Sequence, residues 1–197
     1  MPDFSLEQNY PGPVAGVDEA GRGPWAGPVV AAAVILDPAN VPEGLNDSKK
    51  LTALRRAALF DAIYGAAVVG VGIGSVEEID QLNIARANDL AMARAVSAMS
   101  VEPAFLLIDG RFVPHNLDLP ARAVVRGDSK SQSIAAASII AKVTRDRIMA
   151  DLAARHPGYG WEQNAGYGTA QHRKALDQLG VTRHHRRSFR PIAEKLV

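Results

Sequence analysis

The sequence predicts an α/β fold, a mixed β-sheet flanked by helices with a helical C-terminal extension. Three observations lead there. Short apolar, β-branched runs bounded by Gly and Pro recur through the first two thirds of the chain. Segments with apolar residues at helical spacing alternate with them through the middle. The last part carries helix signals and no strand-like run.

Val14–Val17 and Val29–Leu36 read as the first two strands. Leu51 to about Tyr64 reads as a helix with Leu51, Leu54 and Ala58 on its packed face. Val68–Ile73 is the next strand, despite its glycines. Ser75-Val76-Glu77-Glu78 has capping-box spacing and opens a short helix. Asn83 caps a longer one, whose buried stripe is Ile84, Ala87, Ala91, Ala95 and Met99. Ala104–Ile108 is a continuous apolar run ending at Asp109, as expected of a central strand. Ala121–Val125 is the last strand and leads to Gly127-Asp128. Ser133 starts a helix lined by Ala135, Ala136, Ala137, Ser138 and Ala141, small enough for close approach to a neighbour. Beyond a loop rich in Gly, Tyr and Trp, Thr169 caps a helix that ends near Gly180.

The 197 residues suffice for one well-cored domain. No repeat, linker or compositional shift marks a boundary. The expected organisation is a single domain over 1–197, its helical extension beginning at about residue 160. With no cysteine, disulfides, thiolate zinc sites and a cysteine nucleophile are excluded. The start of the chain lacks a signal peptide's basic and apolar regions, and no run approaches the roughly 20 apolar residues of a membrane helix. The expected location is the cytoplasm, with no membrane association. The net charge of +1 carries no global argument for nucleic acid, so any such argument is local.

Three strand-like runs end in acids: Asp18 with Glu19, Asp109, and Asp128. Neighbouring strand ends lie about 5 Å apart, so these acids can converge as a Mg²⁺ site requires. Each acid read alone also fits a turn or a cap. Consecutive strand residues point to opposite faces. Either the strand ends at Asp18, or one member of the pair contributes through its main-chain carbonyl; Asp18 is the firmer side-chain ligand. Gly21-Arg22-Gly23 adds a cation and two positions without a Cβ, where a ligand can approach the backbone. Asp47-Ser48-Lys49-Lys50 places two lysines before a helix, suited to a phosphate or simply to solvent. Lys130, Lys142, Arg145 and Arg147 lie near the acids in sequence. Arg183 to Arg190 is a dense basic run that fits either phosphate binding or a solvated surface. His184 and His185, being adjacent, lack the i, i+4 spacing of a helical zinc site. Tyr167, between two glycines, fits a ring presented for stacking on a base or sugar, or one packed between loop and helix. No P-loop or nucleophile elbow is present.

Taken together, these pieces resemble bacterial ribonuclease HII, the type-2 ribonuclease H family. The ordered set is Gly16–Pro24, Asn46–Leu51, Ile108-Asp109-Gly110, Gly127-Asp128, Ile134–Asp146, Gly166–Thr169 and His184–Phe189. The resemblance implies a ribonuclease H-like sheet and four active-site acids: Asp18, Glu19, Asp109 and Asp128. It implies that Gly21, Arg22 and Gly23 sense the ribose 2′-hydroxyl, and that Tyr167 packs beside the neighbouring sugar. With Lys49 these form the candidate substrate-binding set. The implied activity is hydrolysis of the RNA strand of RNA–DNA hybrids and nicking 5′ of single ribonucleotides in duplex DNA. The implied chemistry uses two metal ions, Mg²⁺ or Mn²⁺, and leaves 5′-phosphate and 3′-hydroxyl ends. The implied partners are these nucleic acids alone, acted on by a monomer with no indicated protein partner. Trp25, where many relatives have a small aliphatic residue, and Gly168, where many have proline, depart from the pattern. A resolvase or integrase core, or a non-catalytic binding module, are the alternatives.

Overall fold

The computed structural model describes residues 1–196. Five strands form one sheet: β1 (Val14–Ala20), β2 (Val29–Leu36), β3 (Ala67–Gly74), β4 (Phe105–Asp109) and β5 (Ala121–Val124). Their order is β3-β2-β1-β4-β5. The first three strands run antiparallel, while β4 and β5 run parallel to β1. The register puts Val17 beside Ile108, so Asp18 and Asp109 follow at the same level on adjacent parallel strands. The continuous apolar character of β2 and β4 follows from burial on both faces.

One face is covered by α1 (Ala53–Ala66) and α4 (Gln132–Arg155), which pack with Ala32, Val34 and Leu36. The other face is covered by α2 (Val76–Leu82) and α3 (Ile84–Ser97), which pack with Ala15, Val17, Ala31, Ala33 and Ile108. The capping box at Ser75 and Glu78 forms in both directions, and Asn83 caps α3 by accepting from the N–H groups of Ala85 and Arg86. Two expectations need correction. The packed face of α1 is Leu59, Phe60 and Ile63, whereas Leu54 is 83% exposed. The helix starts at Ala53, so Leu51 lies outside it and Leu54 sits in its exposed first turn. Strand β1 continues regularly through Ala20, with Asp18 opposite Ala32 and Glu19 opposite Ala31, rather than ending at Asp18.

The glycines of β3 are what let it take its helix. A Cβ on Gly70, Gly72 or Gly74 would lie 2.0–2.7 Å from the carbonyl oxygens of Ala95, Ala91 and Ala87 in turn. Glycines on alternate strand positions thus face an alanine stripe on α3, and backbone packs on backbone. Gly72→Ala is expected to destabilise by about 2–4 kcal/mol in urea unfolding, because neither main chain can yield. Gly65→Ala, where the new Cβ meets nothing within 4 Å, is expected to be neutral or stabilising.

Helix α4 is held at its start by the N-terminal segment. Glu7 is buried, and its Oε1 accepts from Ser131 Oγ at 2.6 Å and Ser133 N–H at 2.9 Å. Asp3 pairs with the chain around Ser131. This fixes the 3-10 turn Gly127–Ser129 immediately before the helix, which carries Asp128. The C-terminal part holds α5 (Trp161–Asn164), α6 (Ala170–Leu179) and α7 (Arg190–Ala193). It packs on the distal half of α4 through Met149, Leu152, Trp161, Leu176 and Ile192, with Ala26 from the β1–β2 loop in the same cluster.

Candidate active site

The acids meet at the C-terminal ends of the parallel strands. Asp18, 6% exposed, accepts from the Glu19 N–H through Oδ1 at 2.7 Å. Asp109 accepts from the Gly127 N–H through Oδ1 at 2.7 Å, which ties the end of β4 to the turn bearing Asp128. In both carboxylates the second oxygen makes no hydrogen bond to the protein. Burial, with Glu19 and Asp109 adding repulsion, pushes the Asp18 carboxyl well above its ordinary pKa. Burial also raises Glu19, against the opposing pull of Arg22, whose Nη1 lies 3.4 Å from Glu19 Oε1. Asp128 is raised by burial and then by Asp47 and Asp109. Burial thus holds Asp18, Glu19 and Asp128 toward the neutral form, and with Asp109 they offer the oxygen ligands that a hard divalent cation takes. Among the described residues no three of these groups stand close enough as placed to enclose one ion. Asp18 and Glu19 line one cleft, and Glu19 and Asp109 line another.

On the α4 face the first of these clefts has a volume of about 360 Å³ and is lined by Asp18, Glu19, Gly21, Arg22, Gly23, Lys49, Lys142 and Tyr167. Burial works against the Lys49 charge, but Asp47, Asp18, Asp128 and Asp109 outweigh it and hold the ammonium above its ordinary pKa. The structure therefore brings Lys49 to the acids. Lys142 lines the cleft but is paired with Asp146 at 2.6 Å. Arg147 lies elsewhere, over the Phe60 ring, and Lys130 is an exposed residue whose carbonyl accepts from Asp3. Tyr167 is half exposed, and a Cβ on Gly23 would sit 3.4 Å from its ring. Ring and glycine loop thus form one wall.

That wall rests on groups whose role the sequence did not disclose. Arg186 is fully buried and donates to the carbonyls of Gly21 (2.5 Å), Arg22 (2.9 Å), Gly27 (2.9 Å) and Pro28 (3.2 Å). Arg145 donates to the carbonyls of Pro28, Ala165 and Ala26. Burial lowers their pKa values to about 9 and about 10, so both stay charged at neutral pH. Gly21, at φ +98°, leaves no room for a Cβ, which would fall 2.0 Å from Arg145 Nε. The basic run at 183–190 is divided: His185 and Arg186 are sealed inside, Asp80 accepts from the backbone N–H groups of Arg187 and Ser188, and Arg183, Arg187 and Arg190 are exposed.

His185 belongs to a buried chain of neutral groups. Its Nδ1 accepts from the Thr182 N–H at 3.0 Å, so its proton sits on Nε2 and is donated to His172 Nε2, also at 3.0 Å. His172 then carries its proton on Nδ1 and donates it to the Tyr167 carbonyl at 3.0 Å. Burial pushes His185 down to about 3 and lowers His172 too, which keeps both rings neutral. Both histidines follow the Gly166-Tyr167-Gly168 loop in sequence, and only the fold shows that they touch.

The family model for ribonuclease HII matches residues 15–192. The chain belongs to the ribonuclease HII family. Ribonuclease HII of Ruegeria pomeroyi is 61% identical over 98% of this chain and 84% of that protein. Ribonuclease HII of Paracoccus denitrificans is 60% identical over 97% and 93%. The crystal structure of ribonuclease H2 from Pyrococcus horikoshii superposes with a TM-score of 0.77 at 27% identity, over 92% of this chain and 95% of that one. Bst-RNase HIII in complex with Mn²⁺ shares the fold, with a TM-score of 0.75 at 21% identity over 93% and 69%. The chain is therefore a hydrolase, a ribonuclease H-type endonuclease acting on RNA–DNA hybrids.

The two departures from the ribonuclease HII pattern touch each other. A Cβ on Gly168 would fall 2.1 Å from Cζ2 of Trp25. The indole fills the space that a larger residue would take, while the Trp25 N–H donates to the Gly166 carbonyl at 2.8 Å. Trp25 thereby braces the Tyr167 loop from the side where this chain lacks a proline.

Proposed function

We propose that this enzyme cuts the RNA strand of RNA–DNA hybrids and also nicks 5′ of single ribonucleotides embedded in duplex DNA, leaving 5′-phosphate and 3′-hydroxyl ends. The observation that carries the reading is the joint wall of Gly21–Gly23 and Tyr167 beside the acids. The Gly21 and Arg22 carbonyls are turned back onto Arg186, so the loop is held from behind and its open face is left for a sugar. A 2′-hydroxyl, both donor and acceptor, is what a backbone loop can sense there. Tyr167 packs on the next sugar, and Lys49 meets a phosphate. Asp18, Glu19, Asp109 and Asp128 would hold two Mg²⁺ or Mn²⁺ ions, Glu19 from the opposite strand face to Asp18. When bound, such ions activate water and stabilise the leaving 3′-oxygen. The enzyme works as a single domain and a monomer in the bacterial cytoplasm. Its archaeal relative from Archaeoglobus fulgidus is described in a complex with PCNA; the resemblance indicates no such partner motif here.

The test is a strand-cleavage assay on a duplex with one embedded ribonucleotide, with and without Mg²⁺, beside an all-DNA duplex. The expected result is a single cut 5′ of the ribonucleotide, only with metal. Equal cutting of the all-DNA duplex, or preference for branched DNA, overturns the reading.

A further inference from the structure

A second cavity, of about 470 Å³, opens on the other side of the acids. Its walls are the end of β1, the first turns of α3 and the segment Gly110–His115 that follows β4. Glu19 and Arg22 line both this cavity and the cleft on the α4 face, while Asp109 lines only this one of the two. The two therefore straddle the carboxylate edge of the sheet, one on each face. Its volume falls within the roughly 300–1,000 Å³ of ligand sites.

Asn88 lines it, 4% exposed, with an Oδ1 that is sealed from solvent and accepts no hydrogen bond. Its Nδ2 reaches only Met92 Sδ, at 3.8 Å. At the rim Phe112 is 83% exposed, an aromatic ring that nothing in the fold covers. Arg86 and Arg111 line the cavity, exposed and without an ion-pair partner among the described residues. With Glu19 and Asp109 engaged by cations, Arg22, Arg86 and Arg111 face Asp89 alone among the carboxylates, with His115 beside them.

Resting on the function proposed above, we infer that this cavity seats the nucleotide immediately 5′ of the scissile phosphate, the one that leaves with the 3′-hydroxyl. The glycine loop and Tyr167 occupy the 3′ side, and a strand passing the acids from there enters this cavity. Its base stacks on Phe112, and the backbone phosphates meet Arg86 and Arg111.

The experiment places an abasic residue either directly 5′ or directly 3′ of the embedded ribonucleotide and measures KM and kcat. Phe112→Ala is expected to raise KM about fivefold to a hundredfold on the intact duplex, the range that stacking on an aromatic ring gives, with kcat retained. An abasic 5′ neighbour raises KM for the unsubstituted enzyme but adds nothing for Phe112→Ala. An abasic 3′ neighbour penalises both alike. Additive losses on the 5′ abasic duplex, or coupling to the 3′ one instead, overturn the inference. If the unsubstituted enzyme does not cut the intact duplex, the proposed function itself falls and this seat with it.

Discussion

Asp18→Asn abolishes strand cleavage in Mg²⁺, by more than about a thousandfold in kcat, while hybrid binding changes little. Loss of a charge-stabilising group at the reacting centre has effects on that scale. Affinity rests instead on phosphate contacts from cations that the substitution leaves in place. Rapid-quench cleavage and fluorescence anisotropy measure the two quantities. Near-wild-type turnover in Mg²⁺ would remove Asp18 from the site.

The same substitution has an effect on stability whose sign follows from the raised Asp18 carboxyl. In the folded protein this group holds its proton above the unfolded value near 3.8, so over that window the native state binds more protons. Stability of the metal-free protein therefore falls as pH rises through the window. Asp18→Asn lacks that slope. In EDTA at pH 7 its Tm is expected to exceed that of the unsubstituted protein by about 2–4 °C for each kcal/mol of repulsion removed, with the difference vanishing near pH 4. Mg²⁺ raises the Tm of the unsubstituted protein, and Asp18→Asn loses that response. A lower Tm for Asp18→Asn in EDTA at pH 7 contradicts the repulsion.

What could be read from the chain and what could not divides along a physical line. Capping boxes, apolar runs and the acids that end them are local patterns, so the alternation of strands and helices and the convergence of Asp18, Asp109 and Asp128 were visible at once. The packed face of α1 was misjudged because Leu54 is apolar and in phase for a stripe, yet that first turn reaches no neighbour. The basic run at 183–190 reads as surface throughout, which holds for Arg183, Arg187 and Arg190 but not for His185 and Arg186. Composition marks Arg186 and His185 as surface residues, and only tertiary structure supplies the carbonyls and the second imidazole that let them be buried. Glu7 is a similar case, an acid far from α4 in sequence that closes its first turn. Asn88 stood inside the expected helix α3, indistinguishable there from an ordinary solvated position.

Arg186→Lys is expected to leave a folded enzyme that no longer reads the ribonucleotide. The guanidinium spans carbonyls from Gly21, Arg22, Gly27 and Pro28, two on each side of the β1–β2 loop. Its planar fork can serve all four at once; an ammonium is a point donor with at most three protons. The charge survives in the lysine variant, but at least one loop carbonyl loses its donor and the Gly21–Gly23 backbone is free to rotate. A misplacement near 1 Å costs on the order of a hundredfold in rate. So kcat/KM on an embedded ribonucleotide falls by about that factor, whereas hybrid binding, which the proposed function assigns to Lys49 and other exposed cations, holds. Arg186→Ala goes further, removing the donor from the Gly21, Arg22 and Gly27 carbonyls while Pro28 keeps Arg145, at a cost of roughly 3–5 kcal/mol. Against a total stability of about 5–15 kcal/mol that brings the fold near its margin, as urea unfolding would show. Near-wild-type cleavage by Arg186→Lys would mean that the loop holds its shape unaided. The difference between the two variants then separates what the arginine does for the fold from what it does for the reading of the sugar.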